Sequence, residues 1–326
     1  MSARIWVVIV NYRTADLVVD CLHSIATQIH HLPGSHVAIV DNASGDGSPE
    51  KLKQVISQQG WLAWVSVHPQ ERNGGFAYGN NAGIGTVRQF SGTFDYILLL
   101  NPDTLVRPGA IRTLADFLDT HPQAGIAGSQ LENAQGNTEP SAHNAPSPLG
   151  ELESGASLGI LTRILHRHVV TPPALSRSHQ CDWVSGASLM IRRALLDVVG
   201  NMDEGFFLYY EEVDFCQRAR QAGWQVWFVP QSQVVHLEGA ATGIGNVLRR
   251  RPAYWYDSRR RYFVKYFGPA GLVLADVLWA LGRLLLVMRR TFRLGNGGNK
   301  MAPKWYALDL LWGDFKALIT GKLWKI

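Results

Sequence analysis

The apolar run Tyr96-Ile97-Leu98-Leu99-Leu100 stops abruptly at Asn101-Pro102-Asp103-Thr104, and this junction constrains the fold more than any other stretch of the chain. Consecutive large apolar side chains predict a strand covered on both faces, as in a parallel sheet. Pro102 has no N–H to offer a ladder, so the strand ends there. Asp103 then sits at the carboxyl end of a core strand, where open α/β sheets bind ligands. A carboxylate on such a rigid edge suits a hard divalent cation, Mg²⁺ or Mn²⁺. Asn101 and Asp103 fit equally a plain turn that caps a helix starting near Pro108. The rest of the chain has to decide between the two.

The same pattern recurs upstream. Ile5–Val10, Val37–Val40 and Trp64–Val67 predict three further strands. Behind Thr14, a fitting N-cap, Leu17, Val18, Cys21, Leu22 and Ile25 fall at helical spacing. Lys51–Gln58 predicts a weaker helix, Gly74-Gly75 opens one that runs to about Arg88, and Pro108–Asp119 starts with a proline, as a first turn tolerates. Strand–helix alternation with short connections predicts an α/β fold with a doubly wound, mostly parallel sheet and helices on both faces. Its loops gather at one edge and carry Asn11-Tyr12, Asp41, Arg72-Asn73 and Asp103. An acid after the second strand suits the hydroxyls or base of a nucleotide, although Asp41-Asn42-Ala43-Ser44 also reads as a common turn. Gly74-Gly75 lets the backbone approach a phosphate, or simply turns. The absence of G-x-x-x-x-G-K-[ST], and of G-x-G-x-x-G after the first strand, argues against a P-loop enzyme or a dinucleotide dehydrogenase.

Residues 133–180 are rich in Pro, Ser, Gly, Asn and His, with a short apolar patch at Leu158–Leu165, and predict a long connection over the loop edge. Order returns with a strand at Cys181–Ile191 whose middle residues are small, and a helix at Arg193–Val199. Glu211, Glu212 and Asp214 open a helix that runs to about Ala222. There they complement the helix dipole; crowded carboxylates also raise one another's pKa, which suits a general base. Gln225–Val229 predicts a strand closed by Pro230, and Val234-Val235 leads to His236, a structural histidine or a second metal ligand.

Of the 326 residues, 46% are hydrophobic and 17% charged, which suits one large or two modest domains. The net charge of +5 is uneven: Arg249–Arg251, Arg259–Arg261, Arg289-Arg290 and Arg293 lie toward the C-terminus. Basic clusters beside apolar runs point to an anionic membrane surface or phosphorylated ligands; no nucleic-acid recognition motif accompanies them. Cys21, Cys181 and Cys216 lack C-x-x-C spacing and read as reduced cytoplasmic thiols. Ile5–Val10 is too short for a signal h-region. Gly271–Met288 is strongly apolar but interrupted by Asp276 and Arg283. It predicts either an interfacial amphipathic helix or a helix packed on the catalytic domain, and Trp305–Trp324 repeats the theme.

Taken in order, VIVNYR, VDNASGDGS, RNGGFAYGNN, LLLNPDT, WVSGASLMIRR, FFLYYEEVDFCQRARQAGW and the late His236 resemble the inverting, GT-A-fold glycosyltransferases of family 2. The likeness is greatest to the bacterial rhamnosyltransferase branch, which builds cell-surface polysaccharides. It covers roughly Ile5 to Gly239. It implies a catalytic domain over 1–240, with a nucleotide-sugar half at about 1–130 and an acceptor half at about 181–240. A C-terminal helical, membrane-associated extension over 241–326 follows. The resemblance places Asp41 on the nucleotide base beside Asn11-Tyr12, and Arg72 and Asn73 near the ribose and diphosphate. It makes Asp103 the last acid of a metal-binding D-x-D whose first position is here Asn101, with His236 as second ligand. Trp183 and Gly186 border the acceptor. The resemblance makes Glu212 the expected base, where the family has Asp, and Glu211 the alternative. The implied activity is metal-dependent transfer, with Mg²⁺ or Mn²⁺, of a sugar to a glycan or polyprenyl-diphosphate-linked acceptor at the inner face of the cytoplasmic membrane. dTDP-L-rhamnose is the expected donor, ahead of a UDP- or GDP-sugar. Competing readings are a catalytically idle sugar-nucleotide-binding protein and a nucleotidyltransferase. The latter would carry a Gly-rich, basic loop where this chain has Asn11-Tyr12-Arg13-Thr14.

Overall fold

The computed structural model describes residues 3–87, 94–237, 250–292, 303 and 305–321. The expectations at Arg88, Arg249, Arg293, Trp324 and the boundary at 240 lie outside the described residues. The apolar runs Ile5–Val10, Val37–Val40 and Tyr96–Leu100 become strands, and the stretch Leu17–Ile25 a helix. The chain runs β1 (Ile5–Asn11), α1 (Ala15–His30), β2 (His36–Asp41), α2 (Ser48–Gln58), β3 (Val65–Pro69), α3 (Gly75–Val87), β4 (Tyr96–Leu100), β5 (Thr104–Val106), α4 (Ala110–Thr120) and β6 (Ala124–Glu132). Short strands β7 (Thr138–Glu139) and β8 (Ala142–His143) precede α5 (Pro148–Ala156) and α6 (Gly159–Ile164). Then come β9 (His179–Gln180), β10 (Trp183–Val184), β11 (Ser188–Arg192), α7 (Arg193–Val199), α8 (Glu211–Gln221) and β12 (Gln225–His236), and finally α9 (Ala253–Thr291) and α10 (Tyr306–Ile319).

The chain forms two units: Met1–Ala142 with Pro173–Phe207 and Glu211–Gly243, and His143–Pro172 with Leu208–Tyr210 and Ile244–Ile326. The first is built on one sheet in the order β3-β2-β1-β4-β11-β6-β12-β5. β3, β2, β1 and β4 are parallel, with Asn11 opposite Asp41 and Ile9 opposite Leu100. β11 runs antiparallel between β4 and β6, and β5 antiparallel to β12. Alternate residues of β1 point to opposite cores. Ile5, Val7 and Ile9 pack with Leu22 of α1, Leu52 of α2 and Leu114 of α4. Val8 and Val10 pack with Ile84 of α3, Leu195 of α7 and Phe215 of α8. Helices therefore cover both faces, and the sheet's polar ends stay free for loops.

The structure differs from the sequence reading in five places. The helix expected from Pro108 begins at Ala110, behind Gly109 at φ 80°, so the proline precedes the helix and does not open its first turn. β6, AGIAGSQLE, is buried throughout, yet its Gly, Ala and Ser content hides it from a hydropathy pattern. Pro230 does not close its strand: β12 continues to His236 through a register shift between Val229 and Gln233, where the missing N–H is tolerated. Cys181–Ile191 is two strands, β10 and β11, separated by Ser185-Gly186-Ala187. Residues 133–180 are not a bare connection. They contain α5 and α6, and His143–Pro172 belongs to the helical second unit.

In that unit, Arg259 is completely buried and bonds three acids: Glu151 at 3.3 Å, Asp276 at 2.9 Å and Asp314 at 3.1 Å. Asp314 also takes Arg260 at 2.7 Å, so α5, both halves of α9 and α10 converge on one charge cluster. α9 breaks at Gly268, φ 71°, directly before Pro269. Beyond the break, Leu272, Ala275, Trp279, Gly282 and Leu286 form a buried stripe, while Leu274, Val277, Leu281, Leu284 and Met288 are exposed. One face of Gly271–Met288 thus packs within the helical unit, and the other is exposed and apolar.

α5 crosses α9 closely because both carry glycine at the crossing. A Cβ on Gly282 would lie 2.6 Å from the Leu152 carbonyl oxygen and 2.7 Å from the Ala156 nitrogen. Gly85, inside α3, has open space at that position. Gly→Ala within a helix ordinarily stabilises by about 0.5–1 kcal/mol. Calorimetry should show that gain for Gly85→Ala. It should show a loss of about 1–3 kcal/mol for Gly282→Ala, because backbone cannot yield to the added methyl. A gain at Gly282 would contradict this crossing.

Candidate active site

Parallel pairing brings Asn11 and Asp41 side by side at the carboxyl ends of β1 and β2. The Asn11 Nδ2 donates to Asp41 Oδ1 at 2.6 Å and to Ser44 Oγ at 3.2 Å. Ser44 Oγ donates to Asp41 Oδ1 at 2.6 Å, and its N–H to Oδ2 at 3.1 Å. The Arg13 N–H and Nε close the loop onto Ser44 Oγ and carbonyl oxygen at 2.9 and 3.0 Å. Asp41 is thus a buried, oriented acceptor, and Tyr12 stands exposed beside it with the Arg13 guanidinium 5.2 Å from its ring. Ser44 and Arg13 are members of this cluster that the sequence reading left out. The run Asp41-Asn42-Ala43-Ser44 was the available signal.

Asn42 links this corner to the next. Its Nδ2 donates to the Gly75 carbonyl at 2.9 Å, and the Phe76 N–H donates to the Phe207 carbonyl at 2.8 Å. Gly75 has φ 87°, and a Cβ there would collide with the Phe207 carbonyl oxygen. Asn73 Oδ1 accepts the Gly75 N–H at 3.0 Å, so it shapes the turn that starts α3. Arg72 lies over the Tyr78 ring at 4.4 Å and 3.9 Å from Glu204, with its side chain largely exposed. Asn81, also unforeseen, clamps residue 202 from both sides: its amide donates to the Met202 carbonyl and its oxygen accepts the Met202 N–H, each at 2.9 Å.

Asp103 and His236 meet, with Oδ1 and Nε2 3.3 Å apart. β12 opposite β5 places His236 against Thr104, and the Leu237 N–H donates to the Asp103 carbonyl at 2.9 Å. The Asn101 amide is 3.4 Å from the same His236 nitrogen. His236 Nδ1 has no hydrogen-bond partner among the described residues. One carboxylate and one imidazole would hold a divalent cation here, Asp103 supplying the oxygen ligand that Mg²⁺ and Mn²⁺ prefer. No cluster of three or more His, Cys, Asp or Glu suited to a metal occurs among the described residues.

The second corner is joined to this one through the backbone. The Asn101 N–H donates to the Ala187 carbonyl at 3.0 Å. Its neighbour Gly186 lies between Phe76 and Glu212: a Cβ there would sit 3.2 Å from the Phe76 ring and 3.7 Å from Glu212 Cβ. Trp183, in β10, rests against the core face that holds Phe215 and Cys216. Glu211 is buried, and Oε2 of Glu211 and of Glu212 has no hydrogen-bond partner among the described residues. Burial pushes the Glu212 carboxyl up to about 7, against the pull of the Glu212 and Val213 amides. Burial, and then the charge of Glu212, push Glu211 well above the carboxylate range. At the helix N-terminus the dipole favours charge, but desolvation outweighs it. The third acid, Asp214, does other work: it is fully buried on Arg218 at 2.8 Å, which also holds the Val199 and Asn201 carbonyls.

The residues that lead into this pair are strained. Tyr209 has φ 71° and Tyr210 φ 70°. A bulky residue in the left-handed region costs about 1–3 kcal/mol and persists where its surroundings over-determine it.

Comparison with known proteins bears on the family and the fold. Residues 3–258 match the family described as Glycosyltransferase like family 2. The N-acetylglucosaminyl-diphospho-decaprenol L-rhamnosyltransferase of Mycobacterium tuberculosis is 30% identical over 218 residues, 64% of this chain and 68% of that protein. Rhamnosyltransferase WbbL of Escherichia coli K12 is 22% identical over 235 residues, 71% of this chain and 83% of that protein. Among solved structures, the mannosyltransferase PcManGT of Pyrobaculum calidifontis, in complex with GDP-Man and Mn²⁺, superposes with a TM-score of 0.56 at 15% identity, covering 100% of this chain and 88% of that one. With the family matched over most of its length and the GT-A fold reproduced, the chain belongs to the family 2-like glycosyltransferases.

Proposed function

We propose that this glycosyltransferase transfers L-rhamnose from dTDP-L-rhamnose, with inversion, to a polyprenyl-diphosphate-linked glycan for bacterial cell-surface polysaccharide. The observation that carries the reading is the continuity of two corners. The Asp103–His236 pair, fit for a diphosphate-bound cation, is tied through Asn101 and Ala187 to Gly186, which faces Glu212. The rhamnosyl group follows the names of the relatives from Mycobacterium tuberculosis and Escherichia coli, the prenyl-diphosphate acceptor that of the first, and dTDP that of the dTDP-rhamnosyl transferase RfbF of Shigella flexneri.

Asp41, oriented by Asn11 and Ser44, receives the nucleoside, with Tyr12 beside it; Arg72 and Asn73 border the ribose and diphosphate. Asp103 and His236 would hold a divalent cation, whose chemistry is to neutralise the charge that grows on the leaving diphosphate. Gly186 and Trp183 border the acceptor. Glu212 takes the acceptor hydroxyl proton while that oxygen bonds to the anomeric carbon and the bond to the diphosphate breaks on the opposite face. A carboxyl titrating near 7 is matched to this task at neutral pH. Glu211, the alternative base, is held protonated by its burial, which weighs against that role and keeps a second negative charge away from the incoming oxygen. One base and no enzymic nucleophile suffice for inversion.

The helical unit supports work at a membrane. Leu274, Leu281 and Leu284 on α9, and Leu308, Trp312 and Phe315 on α10, are exposed, and Arg289-Arg290 close α9. α9 is long and apolar enough to cross a bilayer by length and composition. Its acid Asp276 is held inward by Arg259, so peripheral contact on the inner face of the cytoplasmic membrane is the better fit.

Melting temperatures should rise with dTDP or dTDP-rhamnose when Mn²⁺ or Mg²⁺ is present, and little with UDP or GDP. A preference for UDP or GDP would replace the donor, and no response to any of them would favour an idle protein. Asp103→Ala should abolish the metal-dependent part of the shift; an unchanged shift would remove Asp103 from the site. The raised Glu212 pKa has a further consequence. The folded carboxyl binds its proton more tightly than the unfolded chain does, so stability is full below the ordinary value of 4.5 and declines as pH rises through about 7. Glu212→Gln should therefore melt like wild type at about pH 4 and above it at about pH 8. An equal difference at both pH values would contradict a buried, proton-holding Glu212.

A further inference from the structure

Arg72 is a long side chain, 67% exposed, and a cation so placed ordinarily samples many rotamers. Here two neighbours within the first unit restrict it. Its guanidinium lies over the Tyr78 ring at 4.4 Å. That ring is seated on the loop itself: a Cβ on Gly74 would collide with it, so glycine is what lets the ring lie there. The Tyr78 hydroxyl donates to Gln70 Oε1 at 3.3 Å, and the Gln70 N–H donates to the Asp41 carbonyl at 2.8 Å. The ring beneath Arg72 is therefore tied to the corner assigned to the nucleoside.

The second neighbour is Glu204. Its Oε1 accepts from Asn81 Nδ2 at 2.9 Å, and Asn81 is buried in α3, where it also holds both backbone groups of Met202. Its Oε2 lies 3.9 Å from Arg72, too far for a hydrogen bond. One carboxylate oxygen is thus anchored and the other faces the cation. Charge and a ring face guide the guanidinium, while no hydrogen bond among the described residues uses its N–H groups.

We propose that Glu204, anchored by Asn81, and Tyr78, seated on Gly74, are positioning residues for Arg72, which they hold ready for the donor's diphosphate with its N–H fork unused. The inference rests on Arg72 bordering that diphosphate. A guanidinium fork matches phosphate oxygens in geometry, and a group ordered before its ligand arrives binds more tightly than one the ligand must order. Glu204 and Tyr78 touch no substrate in this account and act through Arg72.

The test is calorimetric titration of the full-length protein with dTDP in the presence of Mn²⁺. Glu204→Gln keeps the acceptor for Asn81 and removes only the charge. It should weaken dTDP about threefold, and Tyr78→Leu should do the same. Tyr78→Phe, which keeps the ring, should bind as wild type does. Arg72→Ala should weaken dTDP about 10-fold or more, the scale of a charged hydrogen bond. In the Arg72→Ala background neither Glu204→Gln nor Tyr78→Leu should weaken it further, because nothing is left to position. A loss that persists in that background would make the two residues structural and overturn the proposal. Wild-type or tighter binding by Glu204→Gln or Tyr78→Leu alone would overturn it as well, the tighter case showing a carboxylate that only opposes the phosphate. If Arg72→Ala binds dTDP as wild type does, the reading of Arg72 fails and the proposal with it. If UDP or GDP binds in place of dTDP, the same ratios are read with that nucleotide and only the base assignment fails; if none binds, both fall.

Discussion

Parallel pairing of β1 with β2 and β4 is the constraint from which the site follows. Strands that run the same way end on the same edge, and these three end in Asn11, Asp41 and Asn101–Asp103. Burial on both faces leaves the strands no freedom to slip, since a one-residue shift would exchange the Val7 and Val8 faces and both cores with them. The polar residues are therefore placed by apolar ones. β12 completes the arrangement from the other direction: its register against β5 sets His236 opposite Thr104, within reach of Asp103.

The second half of the site is governed by a conflict between helix electrostatics and desolvation. A helix N-terminus favours anions, and the Glu212 and Val213 amides do pull on the Glu212 carboxyl. Burial among Phe76, Gly186 and the α8 core pulls harder in the opposite direction. Neighbouring carboxylates in such a place divide their tasks: one stays protonated and the other titrates near neutrality. Asp214, one turn along, shows what the same residue class does when an arginine is supplied. It pairs with Arg218 and becomes part of the scaffold.

Much of this was legible in the sequence because the core strands are continuous apolar runs with sharp polar ends. Tyr96–Leu100 matches its strand residue for residue, and Asn11, Asp41, Asp103, Gly186, Glu212 and His236 all lie at the corners described. What escaped has physical reasons. β6 is buried through small residues, which carry little hydropathy. Pro230 was read as a stop because the rule concerns regular ladders, whereas a bulge needs no N–H at that point. The helices at 148–164 were hidden in a Pro- and Gly-rich stretch, since close packing of Gly155 on Gly282 requires the residues that a propensity scale penalises. Asn81 acts through hydrogen bonds to a distant segment, and no local pattern announces such partners.

The central claim is that Glu212 takes the acceptor proton in a site whose donor half is independent of it. The most direct measurement is release of nucleoside diphosphate from dTDP-L-rhamnose, with acceptor and Mn²⁺, by wild type, Glu212→Gln and Glu211→Gln. The account predicts that Glu212→Gln binds dTDP as wild type does and loses transfer by about 100-fold or more, the scale of a general base, while Glu211→Gln retains most of it. Near-normal transfer by Glu212→Gln would contradict the account.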